Sequence, residues 1–214
     1  MRKIVTPIAA ASALALAAGA VAPAANAAQG TKSLATVLTS DGGKQFDHNW
    51  HDFDIVTEAV LAVLKAKPNS AVGVLTDGKV KLTAFVPNDR AFQLLVRDLT
   101  GTKPATEKKT FTAVAGLGID TVETVLLYHV VPGATITAKQ ALKANNVRLG
   151  TAQGQTIKVQ VRTAHGTKFI KLSDKDRNSR NPRVYKADIN KGNKQIAHAI
   201  DRVLRPFDLP PVKK

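Results

Sequence analysis

Residues 126–133 read LLYHVVPG, an apolar run that holds one tyrosine and one histidine and is closed by Pro132 and Gly133. A second stretch, QIAHAIDRVLRP at 195–206, also sets a single histidine among apolar residues. Such a pair allows two readings. His129 and His198 are either bases of a catalytic site or core groups whose ring nitrogens bond to the backbone. A hydrolase built on them needs an activated nucleophile and an orienting acid within hydrogen-bond reach. Asp201 could orient, but the serines beyond residue 27 are Ser33, Ser40, Ser70, Ser173 and Ser179. None lies in a Gly-x-Ser-x-Gly elbow or another activating context. The chemistry favours two structural histidines and no catalytic residue.

The surrounding pattern is helical before LLYHVVPG and strand-like after it. Asp120-Thr-Val-Glu123 has the form of a capping box and opens a helix over TVETVLLYH that Pro132-Gly133 stop. His129 falls at the end of that helix, where an imidazolium would meet the negative end of the dipole. Tyr128 brings apolar area and a hydroxyl that needs a partner when buried. Upstream, Ile55, Val56, Ala59, Val60, Val63 and Leu64 recur at three and four residues and predict a helix ended by Pro68. Asp52 and Asp54 stand at its start as capping carboxylates. KVKLTAFVP (79–87) predicts a strand, and Asn88, followed by Asp89, caps a helix over DRAFQLLVRDLTG that Gly101 ends. Residues 102–116 open as a polar loop, and Thr137-Ala-Lys-Gln140 caps a short helix through Ala144.

From residue 147 the apolar period falls from 3.6 to 2. QTIKVQVR and KFIKLSD form a hairpin whose buried side carries Ile157, Val159, Val161, Ile170 and Leu172. VYKADI (184–189) and QIAHAI (195–200) are two more strands; in the second, Ile196, His198 and Ile200 share one face, and Asp201 fixes the exit. The pattern predicts a single α+β domain without internal repeats.

Residues 1–27 stand apart. Met1-Arg2-Lys3 is a basic start, residues 4–21 are almost entirely small and apolar, and Ala25-Asn26-Ala27 supplies a signal-peptidase pattern. A removable secretory signal at 1–27 is therefore expected, with a polar lead-in at 28–45, the main domain at 46–207 and a short basic tail at 208–214. No later run reaches about 18 apolar residues, so the mature chain is expected to have no transmembrane segment. Cysteine is absent, which excludes disulfides, thiolate metal sites and lipidation of a signal-peptide cysteine.

Charge is the second strong signal. The chain carries a net +15, and beyond residue 27 the excess is concentrated in residues 162–214, which hold 14 basic and 5 acidic side chains. A field of this size selects anionic partners. For an exported chain those are phosphate- or carboxylate-bearing surface polymers or matrix components. Aromatic residues in the basic region are limited to Phe169, Tyr185 and Phe207, so a base-stacking platform, and nucleic acid with it, is not expected.

Three segments together resemble the fasciclin domain family. TAFVPNDRAFQLL (83–95) resembles its first signature, LLYHVVPG its central Tyr-His segment, and QIAHAIDRVLRP its closing signature. They occur in the family's order and cover roughly residues 46–207. The closing segment departs in having Lys191-Gly192-Asn193-Lys194-Gln195 where the family has an Asn-Gly turn, and the loops near 100–116 and 173–183 are longer and more basic. The resemblance implies a wedge-shaped β-sandwich of about seven strands with several helices packed along one side. It also implies a secreted, non-enzymatic adhesion or envelope-associated role without cofactors. Receptor contacts in animal relatives map to Tyr128 and His129.

Two further sets of residues are candidates. FDHNWHDFD (46–54) sets His48, His51 and Asp52 close together, a nitrogen and carboxylate set that would suit zinc or copper; capping of the following helix is the simpler reading. Residues 162–194 hold ten basic side chains against three acidic ones. Of these, Lys168, Lys171, Lys175, Arg177, Arg180 and Arg183 are the expected contacts to an anionic polymer. A small-ligand carrier with a pocket between sandwich and helices is the alternative function.

Overall fold

The computed structural model describes residues 29–40 and 46–209; the expected signal segment and the last five residues of the basic tail lie outside them. In chain order the elements are α1 (Leu34–Thr39), α2 (Asp54–Ala66), a 3-10 helix (Ala71–Thr76), β1 (Leu82–Pro87), α3 (Asp89–Thr100), α4 (Glu107–Ala115), α5 (Ile119–Tyr128), β2 (Val130–Pro132), α6 (Ala138–Ala141), β3 (Arg148–Gly150), β4 (Thr156–Ala164), β5 (Thr167–Ser173), β6 (Val184–Ile189) and β7 (Gln195–Ile200). The seven strands form two sheets, one ordered β2-β1-β7-β6 and one ordered β3-β4-β5. This is the expected α+β architecture.

The two central strands explain why the domain has two cores. β1 and β7 run parallel, with Phe85 opposite His198, and every residue of both is buried. Strands covered on both faces read as continuous apolar runs. Ala84, Val86, Ala197 and Ala199 join the cluster formed with the helices, including Leu34, Ile55, Val60, Phe92 and Leu126. Phe85 and Ile200 face the other sheet and pack with Tyr128, Ile157, Val159, Ile170 and Leu172.

LLYHVVPG is the joint between helix and strand. α5 ends at Tyr128, His129 is its C-cap, as its place at the helix end predicts, and β2 starts at the next residue. The reason lies in the bonds His129 makes. Its Nδ1 lies 2.7 Å from the Val125 carbonyl, and its Nε2 accepts the Leu204 N–H at 2.9 Å. Its own carbonyl accepts the Phe85 N–H of β1 at 2.9 Å. This pattern defines a neutral ring protonated on Nδ1. One side chain thereby fixes α5 to the segment that follows β7.

Other expectations require correction. Residues 107–109, read as the end of a polar loop, begin α4 (Glu107–Ala115), with the Thr106 side chain accepting the Lys109 N–H. The Asp120–Glu123 capping box does not form: α5 is preceded by Gly118 without a side-chain cap, and Glu123 bonds to Lys67 at 2.6 Å and Ser70 at 2.5 Å. The Thr137–Gln140 box does form. The segment read as a polar lead-in contributes Leu34 and Leu38 to the core. It is held by Gln195, a buried amide whose Oε1 accepts the Leu34 N–H and whose Nε2 donates to the carbonyls of Val74 and Asp77, each at 2.8 Å. Gly78 sits where a Cβ would lie 1.7 Å from the Thr31 carbonyl oxygen.

Two outcomes follow from this packing. Burial holds the His129 ring neutral, lowering its pKa from 6.5 to about 4. Its contribution to stability is complete above pH 6.5 and declines towards pH 4, because the unfolded chain binds the proton first. His129→Ala should cost about 1–3 kcal/mol at pH 7 in urea unfolding, and the gap to wild type should narrow between pH 6.5 and 4; a constant gap would contradict the buried neutral ring. Gly78→Ala should push the 31–33 backbone away and open α1 to proteolysis, with a lowered Tm.

Candidate functional site

The three-stranded sheet has one apolar and one cationic face. Pairing in β4 and β5 sets Lys158 opposite Ser173, Gln160 opposite Lys171 and Arg162 opposite Phe169. Arg148 of β3 stands opposite Lys158, and an isolated bridge sets Arg183 opposite Lys171. Paired residues share a face. Arg148, Lys158, Arg162, Lys171 and Arg183 therefore lie on the outer side, while Ile157, Val159, Ile170 and Leu172 point into the sandwich. β3, β4 and β5 contain no acidic residue. Arg148 and Lys158 are like charges directly opposite each other, an arrangement that costs tenths of a kcal/mol to about 1 kcal/mol unless an anion sits between them.

The loop after β5 extends this face and is anchored by buried charge. Arg205, 7% exposed, bonds through Nη1 to Asp176 at 3.1 Å and through Nη2 to Asp98 at 2.9 Å. The Arg205 N–H donates to Asp174 at 2.9 Å. The two loop acids are thus engaged by Arg205, whereas Lys175, Arg177, Arg180 and Arg183 are exposed. Arg183 stacks on the Phe169 ring at 4.2 Å, a contact that orders the guanidinium. Lys168 lies at the hairpin end, on the other side of the strand from Lys171. None of Arg148, Lys158, Arg162, Lys168, Lys171, Lys175, Arg177, Arg180 and Arg183 forms an ion pair among the described residues. Sequence reasoning reached the 162–194 cations but missed Arg148 and Lys158. The alternation in QTIKVQVR already put Lys158 on the polar side; the three-residue β3 was too short to show a period.

Tyr128 and His129 require a correction as partner contacts. Tyr128 is fully buried, with its hydroxyl donating to the Thr156 carbonyl at 3.0 Å, and His129 is 5% exposed. Neither presents a surface to a partner. His198 is also buried: Nε2 lies 2.8 Å from the Ile136 carbonyl, and Nδ1 accepts the Asp188 N–H at 3.3 Å. Asp201 does not reach it; its carboxylate accepts the Arg183 N–H at 2.7 Å and joins the end of β7 to the approach of β6. Asn88 accepts the Ala91 N–H at 3.0 Å as the cap of α3.

The histidine-based metal set also changes. His48 and His51 are exposed, and neither ring joins Asp52. Among the described residues the acidic groups that converge are Asp52, Asp89 and Glu107, and Asp47, Asp54 and Glu107, with ligand oxygens within 4.8 Å of one another in each set. They gather because α2, α3 and α4 start there, with Asp54, Asp89 and Glu107 as their first residues, and helix N-termini favour negative charge. Asp52 makes no cap. The N–H of Ile55 in α2 is instead taken by Asp89 of α3, at 2.9 Å. Glu107 was hidden from sequence reasoning because the start of its helix was read as a loop; Thr106-Glu107 ahead of Phe111 and Val114 is the signal that was available.

Internal space is small. The cavity between helices and four-stranded sheet, lined by Leu34, Val60, Phe92 and Leu126 among others, measures about 40 Å³. One between the sheets, bounded by Phe85, Ile136, Leu149, Ile170 and His198, measures about 220 Å³.

Comparison with known proteins agrees with this architecture. A model of the fasciclin domain matches residues 56–206. Among solved structures, a FAS1 domain pair from the insect cell adhesion molecule Fasciclin I aligns with a TM-score of 0.54 and 19% sequence identity, over 82% of this chain and 51% of that one. The chain therefore spans about half the length of that structure, and the likeness concerns the fold. No curated protein matches the chain. The match over most of the chain, on the two-sheet frame described above, makes this protein a member of the fasciclin domain family.

Proposed function

We propose that the protein is an exported, non-enzymatic adhesion domain whose cationic sheet face holds anionic polymers of the cell envelope or extracellular matrix. Fasciclin domains are associated with cell adhesion, and no single helix among the described residues is long and apolar enough to cross a membrane. The observation that carries the reading is the outer face of β3-β4-β5, where Arg148, Lys158, Arg162 and Lys171 stand together on strands that contain no acidic residue, with Arg183 beside them. The exposed loop cations Lys175, Arg177 and Arg180 extend it. A flat cationic surface recognises repeated phosphate or carboxylate groups by point charge and by the arginine fork.

Magnitudes weigh against the alternative of a small-ligand carrier. Ligand pockets measure about 300–1,000 Å³; the cavities against the sandwich are about 40 and 220 Å³, and the larger cleft of about 650 Å³ is bounded by α4 with Phe46 and His48 and not by the sandwich. Catalysis finds little support at the two histidines, since each ring has both nitrogens within hydrogen-bond distance of main-chain groups.

Binding to inorganic polyphosphate, followed by fluorescence anisotropy, tests the reading. Affinity should fall steeply as salt rises, because the contacts are screened ion pairs. Replacing Arg148, Lys158 and Lys171 together with glutamine should weaken binding by about tenfold or more at low salt, and reversing charge at Arg177, Arg180 and Arg183 should act in the same direction. Glutamine at the exposed Lys108 and Lys109 of α4 should leave binding nearly unchanged. No binding at low salt, or equal losses from both sheet and α4 variants, would defeat the proposal.

A further inference from the structure

The convergence of three helix starts leaves carboxylate oxygens that the fold does not use. Asp89 and Glu107 are fully buried, and Asp52 is 5% exposed. Each of the first two commits one oxygen to a backbone N–H: Asp89 Oδ1 accepts from Ile55 at 2.9 Å, and Glu107 Oε2 accepts from His48 at 2.9 Å. The other oxygen of each, Asp89 Oδ2 and Glu107 Oε1, has no donor from outside the cluster, and neither oxygen of Asp52 has one; the Asp52 and Asp89 carboxyls are within hydrogen-bond reach of each other. A buried carboxylate oxygen without a donor is costly. Here one carboxylate oxygen from each of the three residues converges on one place, and the bonds to Ile55 and His48 hold Asp89 and Glu107 in position.

We infer that Asp52, Asp89 and Glu107 form a binding site for a divalent cation, and that the cation is calcium. The donor set is entirely carboxylate oxygen, with no nitrogen or sulfur, which suits a hard cation. Oxygens bound to one calcium at 2.3–2.6 Å lie at most about 5 Å apart, and one ligand atom from each of the three residues falls within 4.8 Å of the others. Magnesium keeps several waters and an octahedral shell, for which a buried triad offers less room. Asp47 and Asp54 form the outer set with Glu107. Asp54 is fixed by accepting the Phe46 N–H at 2.6 Å, so Glu107 joins both sets. The backbone bonds at Ile55 and His48 act as the outer shell that orients metal ligands.

The competing arrangement is proton sharing. Burial raises Asp52, Asp89 and Glu107 above the ordinary carboxylate range, and the hydrogen bond between Asp52 and Asp89 lowers Asp52 and raises Asp89 further. Without a cation Asp89, pushed up to about 9, keeps its proton near neutral pH and shares it with Asp52, and calcium binding releases it. The two arrangements differ in pH response. Proton sharing alone stabilises the fold as the pH falls through the raised values, whatever the calcium level; a calcium site adds stability near neutral pH that fades on acidification.

The protein provides its own reporter. Trp50, its one tryptophan, lies two residues before Asp52, and its carbonyl accepts the Arg90 N–H at 2.9 Å beside Asp89. Terbium, which replaces calcium at oxygen sites, should give tryptophan-sensitised luminescence in the chelator-treated protein, and calcium should quench it by displacement. Calcium at about 5 mM, above the 0.1–1 mM dissociation constants of extracellular calcium modules, should raise the Tm by several degrees at pH 7.5 and by less at pH 5. Glu107→Gln and Asp52→Asn, checked for native far-UV circular dichroism, should each lose the luminescence and the calcium-dependent shift. Absence of both signals in the wild-type protein would overturn the site and leave shared protons as the resolution. So would an equal calcium shift in wild type and both variants.

Discussion

The imidazole of His129 carries more of the architecture than any other side chain near the centre. α5 must end and β2 must begin within two residues, and the chain after β7 must return alongside them. The ring meets both demands by donating to the last turn of its own helix and accepting from Leu204, while its carbonyl completes the ladder to β1. A leucine of similar size would fill the volume but leave a buried carbonyl and a buried N–H without partners. With that joint set, Tyr128 is delivered to the inter-sheet core and Val125 and Leu126 to the helical core. The two cores are registered by one residue.

Ionisable groups are sorted by the same frame. Carboxylates gather where helices start, and four of them, Asp52, Asp54, Asp89 and Glu107, are buried there; the loop carboxylates Asp174 and Asp176 are held by Arg205. On the outer sheet and its loop the charged side chains are mostly arginine and lysine. Strand alternation explains the cationic face, because a sheet whose inner side must be Ile, Val and Leu has only its outer side for charge. The β3-β4-β5 face concentrates one part of the positive charge, while several carboxyl groups lie in the interior.

Much of this was legible in the residues. The three signature segments define the family, and the periodicities locate α2, α3, β1 and the β4-β5 hairpin because long amphipathic runs leave a strong signal. The losses have particular causes. α4 is short and starts in a Thr-Glu-Lys-Lys stretch whose polarity reads as loop, although Thr106 caps it. β3 is three residues long and is defined only by its partner. Asp52 and Asp89 each looked like local caps; their convergence with Glu107 spans residues 52 to 107 and depends on how three helices dock, which local pattern does not encode. Tyr128 and His129 were read as contacts by resemblance; their burial follows from the hydrogen bonds that hold them to Thr156, Val125 and Leu204 inside the fold.

We propose that the outer face of β3-β4-β5 is where this fasciclin domain meets an anionic polymer. Amide chemical-shift mapping of the isotope-labelled protein titrated with polyphosphate tests this residue by residue. Perturbations should be confined to Arg148, Lys158, Arg162, Phe169–Lys171 and the 175–183 loop, with the helical side unmoved. Shifts centred on α2 to α5, or spread evenly over the surface, would contradict it.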